Sequence, residues 1–168
     1  LPLQLSALGY NVTAHDQLRY PFAHPNLAVL CEDIFNMDNA LQCSYDIVIS
    51  VSTIEHLGLG HYGDILFSDA DKPAIEILWN RVKEGGRMMI SLPAGKPAVQ
   101  RGYRVYDEKK ILDTFPVVTK ILWFAKSGRE GTWQKVQPSD INDIVYQEPF
   151  AQLPVDALAF VICDKNNS

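Results

Sequence analysis

The stretch "DIVISVSTIEHLGLGHYGD", Asp46 to Asp64, carries the reading of the fold. Its first half is β-branched and apolar at successive positions, the pattern of a parallel-sheet strand covered by helices on both faces. The run stops at Ser52 and Thr53 and passes into Glu55-His56. A segment with Gly58, Gly60, Gly63, His61 and Asp64 follows. A buried strand that delivers its chain into a polar, flexible, histidine-bearing loop marks a sheet edge built for chemistry. In open α/β sheets, ligands sit beyond the carboxyl ends of the strands.

The flanking sequence supports such a sheet. "LPLQLSALGY" reads as a helix, with Pro2 in its first turn and Gly9 at its end. "YNVTAHD" is a short strand ending on Asp16, and "LAVLCED" (Leu27 to Asp33) is a second. Tyr45 to Ser52 is the third. In "DKPAIEILWNRVKEGG", Ile75, Leu78, Trp79 and Val82 share one helical face, with Asp71 as cap and Gly85-Gly86 as stop. "RMMISLPAG" is a fourth strand that breaks at Pro93. "DEKKILDTF" is a short helix and "VVTKILWFA" a fifth strand. "SGREG" is a hairpin tip returning through "TWQKV", "PSDINDIVY" a capped helix, and "VDALAFVICD" the last strand. The order predicts one α/β domain over residues 1–168. It is a Rossmann-like open sheet, mainly parallel with an antiparallel C-terminal edge and helices on both faces.

Bulk properties exclude several classes. With 168 residues, 47% of them hydrophobic, the chain can bury a substantial core. A net charge of -5 argues against a general nucleic-acid binder, because phosphate neutralisation needs a basic face. No apolar run approaches the ~20 residues that span a bilayer, and the start does not read as a signal peptide. Cys31, Cys43 and Cys163 form no CxxC pair and read as buried free thiols in a reducing, cytoplasmic setting.

Asp16 could accept both hydroxyls of a ribose, because a carboxylate offers two acceptor oxygens. Asp33, at the next strand end, could accept from an adenine amino group. Each has the commoner alternative of a turn or helix cap. At the third strand end, His56 or His61 could take a proton from an acceptor hydroxyl, because imidazole titrates near neutrality; His56 reads more readily as scaffold than as base, and His61 is the better candidate, with a solvated loop histidine as its alternative. Glu55 could orient a histidine, and Tyr62 and Asp64 flank His61. Tyr103, Arg104 and Tyr106 form a second candidate wall, with Arg104 able to clamp a phosphate or carboxylate and the tyrosines able to stack on sugar rings. A metal site from His56, His61, Asp64, Asp69 and Asp71 is disfavoured, because the spacing matches no zinc or EF-hand pattern.

The order of "YNVTAHD", "LCEDIF", "YDIVISVSTIEHLG" and "AIEILWNRVKEGGRMMISLPAG" resembles the class I S-adenosylmethionine-dependent methyltransferases. "STIEHLGLGHYGD" with "RVY" after the next strand resembles a narrower branch that occurs with bacterial glycan-biosynthesis enzymes. The resemblance implies S-adenosylmethionine as cofactor, with Asp16 on its ribose and Asp33 and Ile34 at its adenine. It also implies that the backbone at Ser52 and Thr53 lines the methionine arm. The implied reaction is O-methylation of a sugar or another small hydroxylated acceptor. The family's first strand and glycine-rich turn would precede Leu1, and Tyr103 stands where the branch commonly has a histidine. Two other classes compete: a non-catalytic domain that uses the fold for binding, and a nicotinamide-dependent oxidoreductase. The latter is disfavoured because the chain has no evident tyrosine-lysine catalytic pair.

Overall fold

A computed structural model describes residues 1–18, 20–37, 42–60, 66–100, 102–126, 131–144 and 156–166. The chain divides into two compact units, Leu1–Leu41 and Gln42–Ser168.

The first unit opens with helix α1 (Pro2–Ala7), whose proline lies in the first turn, where no intrahelical N–H is required. Gly9 ends it at φ +95, a left-handed conformation that only glycine adopts without strain, and its N–H donates to the Ser6 carbonyl at 3.0 Å. Strands β1 (Val12–Asp16) and β2 (Leu27–Cys31) pair in parallel, with Val12 opposite Leu27 and Asp16 opposite Cys31. Both strands therefore end on the same edge of this small sheet.

The second unit is a five-stranded sheet in the order β3-β4-β9-β7-β8. β3 (Tyr45–Val51) and β4 (Val82–Pro93) pair in parallel. The joins of β9 (Ala157–Asp164) to β4 and to β7 (Lys120–Ala125) are antiparallel, as is that of β7 to β8 (Gln134–Val136). The sheet is thus mixed: β3 and β4 are parallel, as β1 and β2 are in the first unit, and the C-terminal strands join antiparallel, as expected of that edge. β9 returns between β4 and β7, so three of the four pairings run antiparallel.

One face of this sheet is a dry core, because side chains alternate along each strand. Met88, Ile90 and Leu92 of β4 and Ala159, Val161 and Cys163 of β9 are fully buried. Helix α2 (Asp71–Arg81) packs against β3 and β4 and buries Ala74 and Ile75 completely. Burying Ile75 alone contributes roughly 2 kcal/mol. The opposite face of β3 differs: Ile47, Ile49 and Val51 are 53%, 37% and 50% exposed. Helical cover on both faces of this strand was expected, and the described residues cover one.

α2 also ends earlier than expected. It stops at Arg81 and the chain is already extended at Val82, so Gly85 and Gly86 lie within β4. Gly86 is needed there for space, because a Cβ would meet the Asp46 and Lys83 carbonyl oxygens at 2.8 and 2.9 Å. A short hairpin, β5 (Ala98–Gln100) and β6 (Tyr103–Val105), follows β4. Helix α3 (Glu108–Thr114) comes next, capped by Asp107, whose carboxylate accepts from the Lys110 N–H at 2.7 Å. "PSDINDIVY" yields a single 3-10 turn, Pro138–Asp140, among its described residues. Of the cysteines only Cys163 is buried, whereas Cys31 and Cys43 are exposed. Burial pushes the Cys163 thiol up to about 12, so it stays protonated.

Candidate active site

β3 ends because Ser52 takes a left-handed conformation, φ +52. A non-glycine residue in that region is strained, and such strain clusters at functional sites. Neighbouring groups hold it. The Ser52 N–H donates to Ser91 Oγ on β4 at 3.2 Å, and Ser52 Oγ donates to Glu55 Oε1 at 2.9 Å. The next residues form a 3-10 turn, Ile54–His56, anchored by the fully buried Ile54.

Glu55 is 1% exposed. Its Oε2 is buried with no hydrogen-bond partner among the described residues. Burial raises the carboxyl above its usual range, opposed by its backbone hydrogen bond, by the nearby His56 and by the Ser52 hydroxyl. His56 Nε2 lies 3.8 Å from Glu55 Oε1. At the other side of the ring, Nδ1 is 2.5 Å from the Gly102 carbonyl oxygen. The Tyr103 ring stands edge-on to the imidazole, with centroids 6.3 Å apart.

Arg104 and Tyr106 were expected to face a ligand, and both are instead interior. Arg104 is 1% exposed and Tyr106 fully buried. Every Arg104 N–H position is engaged by backbone. Nη1 donates to the Glu55 and Leu57 carbonyls at 3.3 and 2.7 Å. Nη2 donates to Phe67 and Ser68 at 3.5 and 2.6 Å, and Nε to Ser68 at 3.3 Å. Asp71 Oδ2 lies 3.7 Å from Nε and accepts from the Tyr106 hydroxyl at 2.8 Å. Asp71 therefore balances a buried guanidinium, and its side chain does not cap α2. Burial, and then the Asp71 charge, push the Tyr106 phenol upward, so it remains a donor.

The same clasp closes the chain on either side of the His61 segment. The Phe67 N–H donates to the Gly58 carbonyl at 2.9 Å. Gly58 sits at φ +70, and a Cβ there would stand 2.2 Å from the Phe67 carbonyl oxygen, so a side chain has no room. His61, Tyr62 and Asp64 themselves lie outside the described residues.

In the first unit, Asp16 and Asp33 lie at neighbouring strand ends. Asp16 Oδ1 accepts from the Leu18 N–H at 2.8 Å. Asp33 Oδ1 caps the 3-10 turn Ile34–Asn36 by accepting from the Phe35 N–H at 2.9 Å, and its Oδ2 accepts from Gln17 Nε2 at 3.2 Å. Ile34 is half-buried in that turn. The turn roles weighed against ligand binding are thus present, and Asp33 has both oxygens engaged. Sequence reasoning missed Ser91, Gly102 and the Asp71–Tyr106 pair. Ser91 alone left a signal, as a polar residue inside the apolar run "MMISLP".

Comparison with known proteins places the chain. The family described as "Caenorhabditis protein of unknown function, DUF268" matches residues 16–122. The chain belongs to this family. No curated protein matches this DUF268 chain. Among solved structures it is similar to the 1,6-didemethyltoxoflavin-N1-methyltransferase of Burkholderia thailandensis, solved with 1,6-didemethyltoxoflavin and S-adenosylhomocysteine bound. The TM-score is 0.61 at 14% identity, covering 98% of this chain and 65% of that one. TehB from Haemophilus influenzae is similar at TM-score 0.52 and 16% identity, over 98% of this chain and 53% of that one. The DUF268 chain has a methyltransferase-like fold, and it spans 65% and 53% of the length of these two structures.

Proposed function

We propose that this chain is part of an S-adenosylmethionine-dependent methyltransferase. Its substrate class is a sugar or another small hydroxylated acceptor in glycan biosynthesis, and its setting is the cytoplasm. The observation that carries the reading is the end of β3 on a methyltransferase-like fold. There, strained Ser52 leads into a turn that combines a buried carboxyl with a histidine. The residues present fit such a cofactor at the strand ends of the first unit, where exposed Asp16 engages Oδ1 in its own turn and leaves Oδ2 outside it.

When bound, the cofactor supplies an electrophilic methyl group on a sulfonium. Asp16 would accept from its ribose hydroxyls, with Asp33 and Ile34 at the adenine. The backbone at Ser52 and Thr53 would line the methionine arm. The remaining task of the protein is to align the acceptor and remove one proton, so positioning dominates. The loop bearing His61, Tyr62 and Asp64 follows the same turn in sequence and would meet the acceptor, with Tyr103 beside His56.

Calorimetric titration with S-adenosylhomocysteine tests the reading. Saturable binding in the micromolar range, about -8 kcal/mol, is expected. Absence of binding to the folded chain would overturn it.

A further inference from the structure

β3 leaves the sheet before its neighbour does. The two strands stay in register up to Val51 opposite Ser91. β4 then runs on through Leu92 and Pro93, both paired with β9. Two hydroxyl groups take the backbone groups at the exit. Thr53 Oγ1 donates to the Val51 carbonyl at 3.2 Å, and the Ser52 N–H donates to Ser91 Oγ at 3.2 Å. A side-chain acceptor that captures a backbone N–H offers the chain an alternative to the ladder. At that point Ser52 turns to φ +52.

We propose that the Ser91 hydroxyl ends β3, by drawing the Ser52 N–H away from the ladder and holding Ser52 left-handed. The exposed backbone of Ser52 and Thr53 is then presented to the amino-acid arm of the cofactor. Ser91 is therefore a positioning residue, and it makes the site selective for ligands that carry that arm. The selectivity rests on the methyltransferase reading, whereas the conformational role does not.

The surroundings suit this role. Ser91 alternates out of the core row Met88, Ile90 and Leu92, and it is itself buried. An enclosed hydroxyl needs a hydrogen-bond partner, and the Ser52 N–H supplies one. Ser52 has a second tie, because its Oγ donates to Glu55 Oε1 at 2.9 Å. That bond fixes the side chain and does not hold the N–H, so it cannot replace Ser91. The strain of a left-handed serine and the net worth of one hydrogen bond are of the same order. Loss of the Ser91 acceptor is therefore enough to shift the conformation. The adenosine end of the cofactor is assigned to Asp16, Asp33 and Ile34, which belong to the other compact unit. A change at Ser91 should spare that end and affect the arm.

Nuclear Overhauser spectra of the isotopically labelled full chain read the conformation directly. A strong effect between Hα and the amide proton within one residue reports a positive φ, because the two protons approach closely there. Ser52 should show it in the unaltered chain and in Ser91→Thr, which keeps the hydroxyl. In Ser91→Ala it should fall to the level of Val51. Absence of the strong effect in the unaltered chain would overturn the proposal, and that measurement stands even where Ser91→Ala does not fold. An unchanged Ser52 in folded Ser91→Ala would overturn it too. Calorimetry with S-adenosylhomocysteine and with 5′-methylthioadenosine, which lacks the amino-acid arm, reads the selectivity. Ser91→Ala should weaken the first by about tenfold and the second by less than about threefold. Equal loss of both, or loss of neither, would overturn the selectivity. A parent chain that binds no S-adenosylhomocysteine would remove the methyltransferase reading, and the spectra would still decide the conformational role.

Discussion

Asp16 closes β1 and Asp33 lies two residues beyond β2, and their local bonds also differ. Asp33 has both oxygens engaged, one as a cap and one by Gln17, whereas Asp16 uses one in its turn. Asp16→Ala should therefore weaken S-adenosylhomocysteine by more than about tenfold in a titration, or 1.4 kcal/mol. Asp33→Ala should affect affinity less and cost about 1 kcal/mol of stability through the lost cap. Glu55 permits a prediction against pH. Its folded carboxyl lies above the usual 4.5, so the native state holds the proton more tightly than the unfolded state does. Stability from this group is present below the unfolded value and is lost as pH rises through the folded one. Glu55→Gln removes that dependence. Denaturation at several pH values should show the variant gaining on the parent as pH rises above the usual carboxyl range. A constant difference would contradict the raised carboxyl.

Two elements depend on backbone approach and on an open face. Gly58 combines a positive φ with a site where a Cβ would overlap the Phe67 carbonyl. Gly58→Ala should cost about 3 kcal/mol or more, and amide exchange should rise at Gly58 and Phe67 before it rises in β4. β3 carries the exposed stripe Ile47, Ile49 and Val51, and its outer edge is unpaired among the described residues. An apolar, exposed edge strand is a template for self-association, which natural sheets blunt with lysine. The double change Ile47→Lys and Val51→Lys should reduce self-association in sedimentation velocity while far-ultraviolet dichroism stays the same.

For the whole molecule, a ligand that binds only the folded chain raises its stability by mass action. S-adenosylhomocysteine at about a hundred times its dissociation constant should add about 2.7 kcal/mol. For a chain of this length that corresponds to a rise of about 5–10 °C in the unfolding midpoint. Asp16→Ala at the same ligand concentration should show a smaller rise. An unmoved midpoint in the parent chain would contradict the proposed cofactor.

Local pattern alone determined much of this protein. The β-branched run at Tyr45–Val51, the short helix at Glu108–Thr114 and the antiparallel return of β8 onto β7 were all legible, whereas most of the hairpin tip "SGREG" lies outside the described residues. Periodicity and turn residues act over a few positions and need no distant partner. The acidic strand ends and the Glu-His turn were legible for the same reason. Tertiary structure decided what those residues face. Arg104 reads as an exposed anion clamp, yet the carbonyls that absorb its donors come from residues 36 to 49 positions away. Asp71 reads as a helix cap, yet its partners are Tyr106 and Arg104. Gly85-Gly86 reads as a helix stop, yet it is the place where β4 passes close to the Asp46 carbonyl. Each of these outcomes depends on a contact between segments far apart in the chain. A side chain satisfies its buried donors and acceptors with whatever the fold brings to it.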